Sequence, residues 1–429
     1  MKHKKKIVLP LLISSSALVF AACGSNGAAP AADGGQKQTQ EGGALTLWMF
    51  DTTDYIKPAA EAVAKEMNIK LNYEFINPET YKTKIKVAVA ANELPDIFGQ
   101  YNGRSERDLI LNSKTAAPLN DVLKSTGLES KYLEGRLIKE ADGNVYSLPY
   151  RPEQSEVLVY NKKLMAELGL QAPKTWDELI NVIKTANAKN IIPIALGGKD
   201  RWPGDLLYNT FVLREDKDAY GKAQKGEGKF TDKPFVDAAE KVIQLSKEKA
   251  FQPGFLGNSD LEAREMFFSG KALMVMNGSW VFAKAIPALG DDLGYVKFPQ
   301  TGAAKDPFLS NTGDRNNAPY GIFVNAQSKQ QQKAKEFAIR YSLKINDELV
   351  KSGQPSFANT DVKPTQKVND AYAQYLEDFK GYKFIQTYWY DTIPAAVGDE
   401  YRDLNQKLYT GTLTPAEFTQ KMEQIMRKK

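Results

Sequence analysis

The chain has 429 residues, about two to three times the usual domain length of roughly 100–200 residues, so we expect at least two packed cores. With 42% hydrophobic and 25% charged residues, it is too apolar to be a disordered chain. Its one histidine, His3, and its one cysteine, Cys23, lie in or beside the N-terminal leader, so the folded part contains neither residue type. This absence excludes Cys/His and Ser/His/Asp nucleophiles, zinc sites with nitrogen or sulfur ligands, haem, iron–sulfur clusters and internal disulfides from the folded part. An enzyme here would have to work with carboxylates, Lys, Tyr or oxygen-bound metals, and we predict no cofactor and no metal site.

Residues 1–22 are predicted to be a lipoprotein signal peptide. A basic start precedes an apolar stretch, 7–22, which is shorter than the ~20 residues that a membrane-spanning helix needs. Ala21 and Ala22 stand directly before Cys23, as in the bacterial lipobox, in which the cysteine carries a diacylglycerol; Phe20 departs from the leucine that is usual there. The alternative is a plain secretory signal with an incidental cysteine.

Residues 23–43 are predicted to be the lipidated Cys23 and a flexible tether, because the stretch is rich in Gly, Ala and Gln and has no hydrophobic periodicity. Such a chain has a root-mean-square reach of roughly 25 Å. Without the four lysines of the leader, the chain has 53 basic and 52 acidic residues, a net charge of +1. This balance gives no electrostatic reason to expect nucleic acid as a partner.

The folded body begins with alternating strand and helix patterns. The run 44–50 reads as a buried strand, 58–67 as a helix and 69–75 as a half-buried strand, after which Asn77 begins a second helix and 95–98 forms a third strand. Three strands separated by two helices within about 55 residues predict a parallel sheet with crossover helices.

The same alternation continues further along the chain. Thr175 with Glu178, and Thr414 with Glu417, form capping boxes that begin two helices. The remaining predicted elements are strands at 157–160, 191–196, 271–280, 295–299 and 320–324 and a helix at 162–168. The sequence therefore predicts an α/β protein with two sheet-based lobes, sheets flanked by helices, and extra C-terminal helices.

Four segments in this order resemble the extracellular solute-binding proteins of ABC transporters, in particular the maltose-binding-protein-like family 1 that binds sugars. These segments are ANELPDIF at 91–98, the long run from DGNVY to TWDELI at 142–180, GKALMVMNGSW at 270–280, and AKEFAIRYSL at 334–343. The resemblance extends from about Leu45 to Met426. It implies a two-lobed, type II periplasmic-binding-protein-like fold with a ligand cleft between the lobes.

On this basis we expect an N-terminal lobe of residues 44–152 plus about 312–350, and a C-terminal lobe of 153–311 plus about 351–429. The expected function is binding without chemistry: closure of the lobes over a sugar, in particular an oligosaccharide, and delivery to the membrane. The expected partners are a saccharide, the ABC permease subunits and the membrane through the lipid anchor, with no nucleic acid and a monomeric chain. The expected location is the extracellular face of the bacterial cell membrane.

A sugar presents apolar C–H faces and a rim of hydroxyls, so its site needs aromatic platforms and fixed polar groups. Ligand-facing residues of open α/β sheets belong at strand ends and in adjoining loops. The predicted ligand-binding residues are Trp48, Asp51, Gln100, Tyr101, Asn102, Tyr150, Arg151, Trp202, Asn277, Trp280, Asp314, Arg315 and Trp389. Trp176, inside a helix start, is expected to belong to the core.

The family resemblance implies that Trp280 lies against the bound sugar, and Trp389 best matches the family's late aromatic residue. Each candidate has a structural alternative. Trp48 is equally well explained as a buried residue, Arg151 as half of an interlobe salt bridge, and the other loop candidates as ordinary turn residues. The competing functions are a secreted glycoside hydrolase with paired carboxylates and a binder of polyamine, peptide or iron on the same scaffold.

Overall fold

The structure, a computed structural model, describes residues 43–427 with several internal gaps. The gaps are 51–53, 102–103, 153, 300–308, 311–319, 366, 382–383 and 386–388. The predicted signal peptide, Cys23 and nearly all of the predicted tether lie outside the described residues. Within the described part of the chain, no helix is both long and apolar enough to cross a membrane.

Eleven strands form three sheets in the described part of the chain. They are β1 (Leu45–Met49), β2 (Leu71–Phe75), β3 (Ile97–Tyr101), β4 (Leu148–Pro149), β5 (Glu156–Asn161), β6 (Ile192–Ala195), β7 (Ala272–Gly278), β8 (Leu293–Val296), β9 (Leu309–Ser310), β10 (Tyr320–Val324) and β11 (Phe384–Ile385). The first sheet has the order β2-β1-β3-β10-β4, the second β6-β7-β5-β8, and β9 pairs with β11 alone.

Fifteen α-helices flank these sheets in the same described ranges. They are α1 (Ile56–Glu66), α2 (Pro78–Ala91), α3 (Arg104–Asn112), α4 (Asn120–Thr126), α5 (Lys162–Glu167), α6 (Trp176–Ala188), α7 (Trp202–Glu215), α8 (Ala219–Lys225), α9 (Lys233–Lys247), α10 (Asp260–Phe268), α11 (Phe282–Leu289), α12 (Gln331–Lys351), α13 (Asp370–Lys380), α14 (Ala395–Tyr409) and α15 (Pro415–Arg427).

The first sheet confirms the predicted parallel arrangement. β1 pairs in parallel with both β2 and β3, as the strand and helix alternation predicts. β10, from much later in the chain, lies antiparallel between β3 and β4. The helices α1, α2, α4 and α12 bury apolar faces against this sheet and form one core with it. In α1, for example, Ile56, Ala59, Ala60 and Val63 recur at helical spacing and are all buried.

The second sheet is covered on both faces. β6 pairs in parallel with β7, while β5 lies antiparallel to β7 and β8. Because side chains alternate along a strand, Leu158 of β5 points into the core with α6, α7 and α9, and its neighbours Val157 and Val159 point into the core with α10 and α13. The two-sheet α/β architecture expected from the sequence is thus confirmed.

The chain passes three times between the first sheet with its helices and the second sheet with its helices. The passages run from β4 to β5, from β8 to β10, and from α12 to α13. We propose that the lobe boundaries expected from the sequence, at 152/153, about 311/312 and about 350/351, lie in or beside these crossings.

Local signals in the sequence explain several element starts. At both predicted capping boxes, the threonine Oγ1 accepts from the glutamate N–H, and the glutamate carboxylate accepts from the threonine N–H. The distances are 3.3 and 3.1 Å for Thr175 and Glu178, and 3.2 and 2.8 Å for Thr414 and Glu417. The helix predicted from Asn77 is also confirmed, since its side chain accepts from the Glu79 N–H at 3.0 Å.

Candidate functional site

Three aromatic rings meet at one end of the first sheet. Phe50 follows β1, Tyr101 ends β3, and Tyr320 begins β10; the antiparallel register pairs Tyr320 with Tyr101. The ring centroids of Phe50 and Tyr101 are 4.4 Å apart in a stacked arrangement, and those of Tyr101 and Tyr320 are 5.3 Å apart. Tyr150 lies behind Tyr320 at 5.8 Å and is fully buried. The half-buried Tyr101 and Tyr320 therefore form an aromatic surface backed by two buried rings.

Two cationic side chains lie over this surface. The guanidinium carbon of Arg151 is 4.9 Å from the centroid of Tyr320, and the Lys82 Nζ is 5.7 Å from the centroid of Tyr101. Cations at these distances are attracted to the ring faces. They also place N–H donors directly beside the aromatic surface.

Gln100 contributes a buried amide beside Tyr101. Its side chain is 1% exposed, and its Oε1 accepts from the Tyr101 N–H at 2.8 Å. Its Nε2 has no hydrogen-bond partner among the described residues. A buried amide donor left without a partner costs free energy, so this group is suited to a polar ligand atom.

A second aromatic pair lies at the end of the second sheet. Trp280 follows β7, and Trp202 is the first residue of α7; their ring centroids are 5.6 Å apart at an interplanar angle of 58°. Both rings are half-buried. Trp202 was expected on a loop, but Pro203 at the second helical position begins α7 there, so the ring is carried by a rigid element.

The end of β7 is fixed by a hydrogen-bond network around Asn277. The Asn277 Nδ2 donates to the Asp260 Oδ1 at 2.7 Å, and its Oδ1 accepts from the Gly278 N–H at 2.9 Å. Arg264 Nε lies 2.8 Å from the other Asp260 oxygen. Burial raises the pKa of Asp260, and Arg264 and Asn277 oppose this shift. Asn277, expected to bind ligand, is 1% exposed and instead supports the strand that leads to Trp280.

Two other expected contacts also have internal partners. The Lys84 Nζ lies 4.1 Å from the Trp48 ring centroid, so this indole is covered by a side chain of α2. Trp389 is 1% exposed and stacks on Tyr220 at 5.0 Å within the core of the second sheet. The enclosed ring of Trp389 offers no platform in this conformation. We therefore leave Asn277 and Trp389 out of the proposed site, while the half-buried Trp48 stays a predicted contact from the sequence.

The remaining candidates Asp51, Asn102, Asp314 and Arg315 lie outside the described residues. Trp176, expected in the core, packs edge to face on Phe211 with centroids 5.4 Å apart, and its indole N–H donates to Gln244 at 2.9 Å.

Phe50 and Tyr320 were missed in the sequence, although the first ends the apolar run of β1 and the second begins that of β10. Their position at strand ends was the available signal. Pairing of β10 with β3, which brings them together, is not visible in the sequence.

Residues close in the chain to the two aromatic sets contact each other. Asp54, four residues beyond Phe50, pairs with Lys284, four residues beyond Trp280, with an Nζ to Oδ1 distance of 3.2 Å. Asp200, two residues before Trp202, has its pKa raised by burial; nearby Glu79 adds to the shift and Lys82 opposes it. Since Lys82 also lies over Tyr101, its charge acts near residues of both aromatic sets.

The described residues contain no group of three or more His, Cys, Asp or Glu side chains arranged to hold a metal ion. The first-sheet surface combines aromatic rings with cationic and amide donors, and the second-sheet pair adds two indoles. It can hold a flat molecule with apolar faces and a hydroxylated rim.

Comparison with known proteins agrees with this geometry. The sequence profile of a family described as bacterial extracellular solute-binding protein matches residues 51–339. The chain is 25% identical over 363 residues to the multiple sugar-binding protein of Streptococcus mutans, covering 80% of this chain and 79% of that protein. It is 23% identical over 438 residues to the melibiose/raffinose/stachyose-binding protein MelE of Bacillus subtilis, covering 98% and 95% of the two chains.

A solved structure from work on xylan utilization by the thermophilic bacterium Caldanaerobius polysaccharolyticus is also similar. It has a TM-score of 0.79 and 28% sequence identity, and the alignment covers 89% of this chain and 99% of that one.

Proposed function

Because the chain belongs to the bacterial extracellular solute-binding protein family, we propose that it captures an uncharged oligosaccharide outside the cell and delivers it to the permease of an ABC transporter. The observation that carries this proposal is the presence of two aromatic surfaces at strand or helix ends, Tyr101 with Tyr320 and Trp202 with Trp280. The relatives named above are described as binding several sugars, including raffinose and stachyose, which supports a ligand of more than one ring.

The proposed ligand contacts have separate roles. The indoles of Trp202 and Trp280 and the rings of Tyr101 and Tyr320 stack on the apolar faces of sugar rings. Arg151 and the Gln100 amide donate hydrogen bonds to hydroxyl oxygens. Asp51, Asn102, Asp314 and Arg315 stay predicted contacts from the sequence.

The proposed mechanism is closure of the two lobes around the ligand. A sugar that touches both aromatic surfaces gains contacts that an open form lacks, so its binding shifts the population toward the closed form by that difference in affinity. The permease then distinguishes the loaded, closed protein from the empty one. We propose that no bond of the ligand is broken in this cycle.

We also propose that the mature protein is held by a diacylglycerol on Cys23 at the outer face of the cell membrane and acts as a monomer. The tether would then separate the folded body from the lipid surface. One of the similar curated proteins, from Streptococcus pneumoniae, is described as a maltooligosaccharide ABC transporter solute-binding lipoprotein.

The proposal is tested by calorimetry and thermal shift on the purified protein with xylo-, malto- and raffinose-series oligosaccharides. A ligand that binds the native state raises the melting temperature in a concentration-dependent way. We expect saturable binding of at least one series, with the sugar recovered unchanged by chromatography. Shortened sugar products would favour the alternative function as a glycoside hydrolase. If none of the oligosaccharide series binds but a polyamine, a peptide or iron does, that solute is the ligand instead of a sugar.

A further inference from the structure

The backbone of Arg201 has an unusual conformation directly before the proposed platform Trp202. Its φ and ψ angles are +65° and −45°, a left-handed geometry close to the rare and strained form of the γ-turn. Residues other than glycine avoid this region because of steric conflict with the Cβ atom. Such a conformation persists only where surrounding contacts enforce it.

Arg201 connects two rigid segments. Its N–H donates to the Gly198 carbonyl at 3.1 Å and so closes a short helical turn. Its carbonyl accepts from the N–H groups of Gly204 and Asp205 at 3.1 and 3.3 Å, and these bonds begin α7. The direction in which Trp202 leaves this junction therefore depends on the φ and ψ of Arg201.

The side chain of Arg201 is held by α14. Its Nη1 donates to Asp403 and its Nη2 to Asp399, each at 3.0 Å. Asp399 and Asp403 are about one helical turn apart on the same face of α14. The planar guanidinium group is therefore held by two carboxylates at once. The same helix supplies Gln406, whose Nε2 donates to the Gly198 carbonyl at 2.7 Å.

The turn before Arg201 has no room to relax on its other side. The Asp260 N–H donates to the Asp200 carboxylate at 2.7 Å, and the Lys199 N–H donates to the Asn258 carbonyl at 2.9 Å. A Cβ atom on Gly197 would lie 2.4 Å from the Asp260 Cα, so the backbone there is packed directly on the start of α10. The junction is thus clamped between α10 and α14.

We propose that Arg201 is a positioning residue for saccharide binding: the ion pairs with Asp399 and Asp403 hold its strained backbone and so set the Trp202 indole at its angle to Trp280. This inference rests on the proposed function, because it concerns affinity for the sugar. It adds that helix α14 controls the direction of one of the platforms through the contacts that it makes with the Arg201 side chain.

The test uses the purified full chain and two independent readouts. Two indoles 5.6 Å apart at 58° couple their excited states, so the pair is expected to give an exciton signal in circular dichroism that needs no ligand. Trp280→Phe assigns that signal. Calorimetry with the oligosaccharide bound by the wild type gives the affinity.

Arg201→Gly removes both the ion pairs and the steric cause of the strain, so we expect little change in melting temperature, a reduced exciton signal and about tenfold weaker saccharide binding. The double variant Asp399→Asn with Asp403→Asn changes two exposed side chains and leaves the backbone untouched; it should reduce both readouts in the same direction. Arg201→Lys, which can keep one ion pair, should recover part of both.

Lys249→Gly is the matched control, because Lys249 also has a positive φ, +53°, and an exposed side chain. It should leave both readouts unchanged. The inference is overturned if Arg201→Gly and the double variant keep the wild-type exciton signal, or if the signal is lost while affinity is retained. If the wild type binds no saccharide, the proposed function fails, and the exciton signal still decides whether Arg201 positions Trp202.

Discussion

The indole of Trp280 occupies the space that a side chain on Gly278 would need. A Cβ atom on Gly278 would lie 1.9 Å from the Trp280 Cζ3 and 2.2 Å from its Cη2. The φ of Gly278 is −79°, which any residue adopts, so this glycine is required by the close approach of the ring and not by its backbone. The absence of one methyl group therefore allows the ring to fold back over the end of β7.

Gly278→Ala is expected to displace the Trp280 ring and weaken saccharide binding by about tenfold or more, roughly 1.4 kcal/mol. The rest of β7 keeps its hydrogen-bonded pairing with β5 and β6, so the protein should still fold. Calorimetry gives the affinity, and near-ultraviolet circular dichroism reports the ring environment. Gly221→Ala is the control, because a Cβ there meets nothing within 4 Å. Equal affinity of the Gly278 variant and this control would contradict the assigned position of the ring.

Trp280→Ala tests the platform itself. Removing the indole eliminates the stacking surface, and we expect affinity to fall at least about tenfold, or 1.4 kcal/mol, without unfolding. Trp176→Phe is the matched control, since that partly buried ring packs on Phe211 against the core of the same sheet. Titration of both variants with the same oligosaccharide separates loss of a platform from loss of an indole in general. An unchanged affinity would remove Trp280 from the site.

The sequence predicted the elements whose signals are local. Alternating apolar residues gave β2, and the side chains of Asn77, Thr175 and Thr414 marked three helix starts, because a cap depends on residues only two or three positions apart. Helix α7 was missed for a physical reason. Its residues from Pro203 to Arg214 are all buried, so no polar face marks the helical period.

The site was predicted less completely than the fold. Trp202 and Trp280 were predicted as contacts from their positions at a strand end and in a turn-rich stretch, and the structure brings their rings together. The contacts that hold the backbone before Trp202 could not be predicted, because the ion pairs of Arg201 with Asp399 and Asp403 join residues about 200 positions apart. Trp389 was predicted as a platform because it best matches the late aromatic residue of the family that the sequence resembles. The structure encloses it between Tyr220 and Tyr401, a packing that only tertiary contacts decide.

The ion pair between Asp54 and Lys284 joins the segment before α1 to α11 and, in the proposed mechanism, should favour the closed form. Both side chains are exposed, at 85% and 53%, so we expect a small effect of about 0.2–1 kcal/mol that salt screens. Asp54→Asn and Lys284→Gln should each release saccharide up to about fivefold faster at low ionic strength. Stopped-flow fluorescence of the two variants and their combination gives the coupling energy.

The control for this pair is Lys57→Gln with Glu61→Gln, an ion pair of 3.7 Å within α1. It should leave the release rate unchanged at every salt concentration. Additive effects of the Asp54 and Lys284 substitutions would show that the two charges act independently of each other.

Cys23→Ser tests the proposed lipid anchor. Because Cys23 is the one cysteine of the chain, its replacement should abolish incorporation of labelled fatty acid and move the protein from the membrane fraction to the medium. A substitution in the tether, Ser25→Ala, should leave both properties unchanged. Retention of the Cys23 variant in the membrane fraction would require another mode of attachment.

Asp205 should make the stability of the protein depend on pH in an unusual direction. Burial raises the pKa of its carboxyl group to about 7, although Arg402 and the Asn405 amide beside it oppose the shift. An acid with a raised folded pKa binds more protons in the folded than in the unfolded state between about pH 4 and pH 7. Its contribution to the free energy of unfolding is therefore complete at low pH and is lost as the pH rises through that window.

Asp205→Asn removes this titration, so the difference in unfolding free energy between variant and wild type should shift in favour of the variant from pH 5 to pH 8. Urea unfolding at the two pH values measures it. Glu178→Gln serves as the control, because backbone N–H groups of Lys174 and Thr175 lower the pKa of Glu178. The stabilisation from Glu178 is present above its unfolded pKa and is lost only as the pH falls through its lowered folded pKa, so the difference between this variant and the wild type should stay constant from pH 5 to pH 8. A pH-independent difference for Asp205→Asn would mean that the carboxyl group has an ordinary pKa and that α7 and α14 enclose a charged group at neutral pH.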